Sequence, residues 1–105
     1  RLAHMESALN YINENLSASL SLDELAQKAG MSRTYFSTVF KKLNGLTPWE
    51  YIGLKRIERA KRLLRTTNKS VLEISLDCGF NNISHFNRQF KQATGLKPVE
   101  YKNSI

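Results

Sequence analysis

Val71-Leu72-Glu73-Ile74-Ser75-Leu76-Asp77-Cys78-Gly79 restates, 49 residues later, the stretch Leu22-Asp23-Glu24-Leu25-Ala26-Gln27-Lys28-Ala29-Gly30. Both begin with a helix-starting pattern and stop at a glycine. Beyond one extra residue the echo continues at an offset of 50: Phe36, Phe40, Lys41, Gly45, Leu46, Pro48, Glu50 and Tyr51 return as Phe86, Phe90, Lys91, Gly95, Leu96, Pro98, Glu100 and Tyr101. A repeat of this length is two copies of one supersecondary unit. Each copy reads as a short helix, a glycine turn and a second helix, which is the outline of a helix-turn-helix.

The boundaries of these helices are written in the sequence. Ser21 with Glu24 and Ser70 with Glu73 fit the capping box, in which serine accepts from a backbone N–H and glutamate reaches back. Thr47 with Glu50 fits it too, and Pro48 stands at the first helical position, where no donor is lost. Lys97-Pro98-Val99-Glu100 keeps the proline and glutamate without a capping hydroxyl. Apolar residues at spacings of three and four predict a first helix over Glu6–Leu16 and a second over Leu22–Ala29. A third over Arg33–Asn44 is expected to bury Phe36, Val39, Phe40 and Leu43. The fourth, Pro48–Arg65, is the longest. The fifth and sixth, Val71–Cys78 and Ile83–Thr94, repeat the second and third, with Phe86, Phe90 and Ala93 inward, and a short seventh begins at Pro98. No stretch alternates as a strand would, so the expected fold is all-α. Residues 1–46 form a first lobe, 47–66 a connecting helix and 67–105 a second lobe.

Sixteen Lys and Arg against nine Asp and Glu leave a formal charge of +7 and favour an anionic partner. No apolar run is long enough for a membrane span. The single cysteine, Cys78, holds the place of Ala29 in the first copy and reads as a small buried group, and one cysteine fits a reducing cytosol. His4, His85 and Cys78 have no metal-ligand spacing. No hydrolytic triad, phosphate-cradling loop or carboxylate pair is present, so neither an enzyme nor a cofactor is expected. Trp49, Tyr51 and Tyr101 read as helix-packing aromatics.

In a helix-turn-helix the second helix lies in the major groove and must bury one face while offering the other. With the phenylalanines of the third helix inward, Arg33, Thr34, Ser37, Thr38 and Lys41 face out. On the sixth helix Ser84, His85, Asn87, Arg88 and Lys91 do so. Neither set contains an acid. Arginine suits guanine and asparagine suits adenine as bidentate partners. Lys41 and Lys91 stand at equivalent places and fit phosphate contacts, as do His85 and Asn82. The connector is rich in cations: Lys55, Arg56, Arg59, Lys61, Arg62 and Arg65 against Glu58. They serve either phosphates or an ordinary solvated face.

The chain resembles the DNA-binding domain of the AraC/XylS family of bacterial transcription regulators. The resemblance covers nearly the whole chain. It is carried above all by Arg56-Ile57-Glu58-Arg59-Ala60-Lys61-Arg62-Leu63-Leu64, Glu73-Ile74, Gly79-Phe80, Phe86, Phe90-Lys91, Gly95, Pro98 and Tyr101. It implies seven helices in two helix-turn-helix lobes, binding successive major grooves of double-stranded DNA on one side. The implied base-reading positions fall on Thr34, Ser37 and Thr38, with Arg33 beside them, and near Ser84, Asn87 and Arg88. It further implies a cytoplasmic regulator, RNA polymerase as a candidate partner, and an effector-sensing or dimerising domain elsewhere in the parent protein. Two other readings are a helical protein-interaction module and a non-specific architectural DNA binder.

Overall fold

A computed structural model describes residues 2–105, and its described residues hold seven helices and no strand. They are α1 (Leu2–Glu14), α2 (Leu22–Lys28), α3 (Arg33–Asn44), α4 (Pro48–Thr66), α5 (Val71–Asp77), α6 (Ile83–Thr94) and α7 (Pro98–Asn103). The chain divides into two compact units between Ile52 and Gly53, inside α4.

The helix starts follow the local patterns. Ser21 Oγ accepts from Glu24 N at 3.1 Å while Ser21 N donates to Glu24 Oε1 at 3.2 Å. Ser70 and Glu73 do the same at 3.1 and 3.0 Å, and Thr47 and Glu50 at 3.2 and 2.8 Å. At α7 the Lys97 N–H donates to Glu100 Oε1 at 2.8 Å, with no side-chain cap on the other side. The first helix differs from expectation at both ends. It starts earlier, bringing Met5 into the core at 3% exposure, and it stops at Glu14. There Asn15 N turns back to Ile12 O at 3.1 Å and Asn15 Nδ2 donates to Tyr11 O at 2.8 Å. Leu16 is still buried, so its apolar spacing reports the core and not the helix.

The turns of the two copies match bond for bond. Gly30 N reaches Gln27 O at 3.0 Å and Met31 N reaches Ala26 O at 2.9 Å; Gly79 N reaches Leu76 O at 3.0 Å and Phe80 N reaches Ser75 O at 2.9 Å. This is a Schellman closure, which requires a left-handed residue. Gly30 and Gly79 supply it with φ of 66° and 90°. The residue after each glycine is apolar and packs inward: Met31 against the first core, Phe80 within the second.

In the first unit Ala8, Ile12, Leu25, Ala29, Phe36 and Phe40 are fully buried. In the second, Ala60, Ile74, Cys78, Phe86 and Phe90 are. Tyr51 stands edge-on to Phe40 with ring centroids 5.5 Å apart, and Tyr101 stands edge-on to Phe90 at 5.4 Å. Ser75, in the place of Ala26, is buried and donates to Leu72 O at 2.7 Å. Burial pushes the Cys78 thiol up to about 11, which leaves it protonated at neutral pH.

Three expected core residues lie outside. Leu43 is exposed, and so is Ala93, its equivalent in the second copy. In each copy the inward face ends at the second phenylalanine, where the tyrosine closes it. Trp49 is also exposed, unlike Tyr51 and Tyr101. It occupies the solvent side of the first turn of α4.

Backbone N–H donors hold Glu50 and Glu73 below the ordinary glutamate pKa: Thr47 for the first and Ser70 for the second, each aided by the side-chain hydroxyl. A folded pKa below the unfolded one gives stability that is complete above the unfolded value and is lost as pH falls through the folded value. Glutamine preserves the box but not the charge. The urea midpoint of the wild-type chain should therefore fall from about pH 5 downwards, and Glu50→Gln/Glu73→Gln should flatten that decline. An unchanged pH slope in the double variant would refute this.

Candidate nucleic-acid interface

The helices α3 and α6 are built to be seen from one side only. Phe36 and Phe40, four residues apart, are both fully buried, with ring centroids at 5.5 Å. Phe86 and Phe90 do the same at 5.8 Å. Two bulky anchors on one face fix the rotation of a helix about its axis. What remains outward is therefore determined.

On α3, Arg33, Thr34, Thr38 and Lys41 are exposed and Ser37 is half-buried. Arg33, Thr34, Ser37 and Thr38 line one depression of about 400 Å³ with Leu22. Ser37, Thr38 and Lys41 line a second of about 490 Å³ with Lys42 and Thr47. The first-lobe candidates thus form one continuous surface. Thr38 Oγ1 donates to Thr34 O at 3.0 Å, leaving its lone pairs as the outward-facing capability. On α6, Ser84, His85, Asn87, Arg88 and Lys91 are all exposed. Asn82 caps this helix, its Oδ1 accepting from His85 N at 3.1 Å, so its amide NH₂ is the group that can meet an anion. His85 stands edge-on to Phe80, and its Nε2 lies 3.0 Å from Gln89 Nε2, so its ring is already steadied within the lobe.

Neutral groups start both of these helices. Ser32 Oγ accepts from Tyr35 N at 3.3 Å and Asn82 from His85 N, with no glutamate reaching back. By contrast α2, α4, α5 and α7 each carry an acid in the first turn, while α3 and α6 carry none. A helix N-terminus has partial positive charge, and carboxylates there compete with any incoming anion. The glutamate-based starts lie where the fold needs them, and the outward-facing helices are kept clear. The serine and asparagine caps escaped the sequence reading because that reading sought the glutamate of the full box.

Acids on neighbouring helices do approach, Glu50 near enough to Lys41 for their charges to interact and Asp23 closer still to Arg33. Asp23 Oδ1 of α2 lies 3.1 Å from Arg33 Nε, both side chains well exposed. The third helix itself is acid-free, but its first residue is held by a carboxylate from the preceding helix. The two lie across the turn, and no local pattern announces the pair. Lys42 and Thr47 were likewise missed as lining residues.

The connector's cations serve several ends. Lys55 pairs with Glu58 at 3.6 Å, and Arg65 Nη1 donates to Tyr101 Oη at 3.0 Å. Burial lowers the pKa of Arg56 from its ordinary value. Lys55 and Arg65 thus have partners within the fold, Arg56 is half-buried, and Arg62 is exposed. Among the described residues no three His, Cys, Asp or Glu side chains gather as metal ligands, and no helix is long and apolar enough to cross a membrane.

Two turn-linked helix pairs, each presenting a neutral-to-basic helix face, define a double helix-turn-helix. Residues 25–104 match the helix-turn-helix domain family. The chain is 38% identical over 100 residues to the transposon Tn10 TetD protein of Escherichia coli, covering 95% of this chain and 72% of that protein. It is 35% identical over 103 residues to the uncharacterized HTH-type transcriptional regulator YobQ of Bacillus subtilis, covering 98% of this chain but only 43% of YobQ. Among solved structures, the DNA-binding domain of AdpA, in complex with a target DNA, superposes with a TM-score of 0.92 at 29% identity, covering 95% of this chain and 90% of that one. The chain belongs to the AraC-type helix-turn-helix family of transcription regulators, a family of sequence-specific DNA-binding domains and not of enzymes.

Removing the Asp23 carboxylate should be nearly silent for folding, since an exposed ion pair contributes about 0–1 kcal/mol. A unit charge 4 Å from another is worth about 1 kcal/mol in water, so Asp23→Asn should tighten binding to duplex DNA by up to about fivefold at low salt. Weaker binding instead would identify Asp23 as the residue that aims Arg33.

Proposed function

We propose that this chain reads double-stranded DNA with two helices, α3 and α6, each entering a major groove, the two grooves being successive along the duplex. The observation that carries this reading is the twofold occurrence of a helix pinned by a phenylalanine pair, capped without carboxylates and exposed along a polar and basic face. The N-terminal part of a reading helix contacts base edges, and flanking cations and N–H groups hold phosphates. Arg33, Thr34, Ser37 and Thr38 are the base-contacting residues of the first lobe, and Ser84, Asn87 and Arg88 those of the second. Lys41, Asn82, His85 and Lys91 hold phosphates. The lobes, 1–46 and 67–105, are joined by the connecting helix 47–66. The protein works in the bacterial cytoplasm, with RNA polymerase as a second partner. An effector-sensing or dimerising part outside these residues completes the regulator, which accords with the greater length of relatives such as YobQ.

Selection from a random duplex library with the 105-residue chain at moderate salt tests the reading. The expected result is two enriched clusters about ten base pairs apart. A single cluster would reduce one lobe to a phosphate clamp, and no enrichment by a folded chain would refute base reading.

Substitutions should separate the two kinds of contact. Arg88→Ala is expected to lose roughly 1–3 kcal/mol on the preferred site and to relax preference at one base pair. Lys91→Ala should weaken all duplexes alike and make the slope of log affinity against log salt shallower by about 0.9. Equal, sequence-independent losses in both variants would count against a base contact by Arg88.

A further inference from the structure

The repeat allows the two lobes to be compared position by position, and among their charge differences one removes a whole ion pair. Asp23 and Arg33, 3.1 Å apart in the first lobe, correspond at offsets of 49 and 50 to Leu72 and Ile83 in the second. An ion pair between α2 and the start of α3 is therefore replaced by one apolar side chain on α5 and another at the start of α6. Both are out in water, Leu72 at 53% exposure and Ile83 at 40%. Neither belongs to the second core, which is complete without them. On the same side of the turn, Gln27 is replaced by Leu76, also exposed. The second lobe has thus exchanged polar for apolar side chains on α5 and at the first residue of α6.

Ile83 is the first residue of α6, and it adjoins Ser84, with Asn87 one turn further along. Residues at that end of a reading helix lie closest to base edges. In the major groove the one apolar group a base pair displays is the C5 methyl of thymine. An isoleucine there has no hydrogen-bonding use, and it excludes water from whatever it covers. Leu72 standing in the place of Asp23 leaves no carboxylate at the equivalent position, in keeping with the absence of an arginine to pair with it.

We propose that Ile83 is a specificity-determining residue that reads a thymine methyl group in the half-site of the second lobe, in contrast to the cationic side chain of Arg33 at the equivalent place in the first. This rests on α6 acting as a groove-reading helix. The two lobes then differ in the chemistry of their first contact. The first offers guanidinium to an acceptor or a phosphate, and the second offers hydrocarbon to hydrocarbon.

The test takes the duplex recovered by library selection and replaces its thymines one at a time with deoxyuridine, which deletes only the methyl group. In the wild-type chain, at least one replacement in the second cluster should weaken binding by about fourfold, the factor that follows from burying one methyl-sized group. Ile83→Ala should bind the thymine and uracil duplexes equally at that position, while Ile83→Val should keep most of the discrimination. Ser19→Ala, at an exposed position of the other lobe outside the reading surface, should leave it intact. Circular dichroism of each variant verifies that the exposed substitution has not cost the fold. Methyl sensitivity that persists in Ile83→Ala, or its absence from the wild-type chain on a selectively bound duplex, overturns the assignment and leaves the apolar patch to a protein partner. Failure to select any duplex is a different result: it removes base reading itself, and this inference with it.

Discussion

Everything the molecule offers to its surroundings depends on how α3 and α6 are rotated about their own axes, and that rotation is set by a pair of phenylalanines. Rings at positions four apart on a helix lie over one another on the same side. Once Phe36 and Phe40 are both fully buried, the helix has no rotational freedom left, because turning it would lift a ring into water. The second lobe repeats the arrangement with Phe86 and Phe90. Edge-on tyrosines cap the far end of each pair, Tyr51 and Tyr101 at nearly the same separation and the same interplanar angle of 77°. In units of about fifty residues, where buried area is scarce, such rings account for a large part of the core.

The second organising feature is electrostatic. A protein of this size needs strong helix starts, and glutamate-based boxes are an effective local device. They are also a poor thing to place where a polyanion must approach. The chain resolves the conflict by location. Glu24, Glu50, Glu73 and Glu100 reinforce the starts of helices that brace or connect, whereas Ser32 and Asn82 start the outward-reading ones with no glutamate beside them. The N-cap bond itself is kept at both reading helices, so only the glutamate's return bond is given up there.

Much of this was legible in the sequence because it is local or repeated. Capping boxes are four-residue patterns, the glycines at 30 and 79 mark a backbone only glycine adopts easily, and the 49-to-50-residue echo doubles every inference. What escaped was set by the finite size of each core. Helical spacing marks Leu43 and Ala93 as inward, but spacing cannot tell where a small core ends, and both lie just past it. Trp49 misled for the same reason. Leu16 misled in the opposite sense, being buried from a turn that its spacing assigned to a helix. Asp23 and Arg33 meet only once the turn has folded the two helices together, and their ten-residue separation follows no helical rule. The residues that spacing set outward on α3 and α6 are exposed, Ser37 half-buried, since anchoring and exposure are two sides of one period. The groups those residues meet on DNA are a property of the complex.

The alternation of anchored and outward positions along one twelve-residue helix bears on how such regulators change over generations. The side chains that hold each lobe and those that face outward share a helix but scarcely share neighbours. Substitution at Thr34, Thr38, Asn87 or Arg88 leaves every buried ring where it was. On the two-lobe reading proposed above, a lineage can therefore wander from one promoter to another by single steps, each intermediate remaining folded, in one half of the protein while the other keeps its old target.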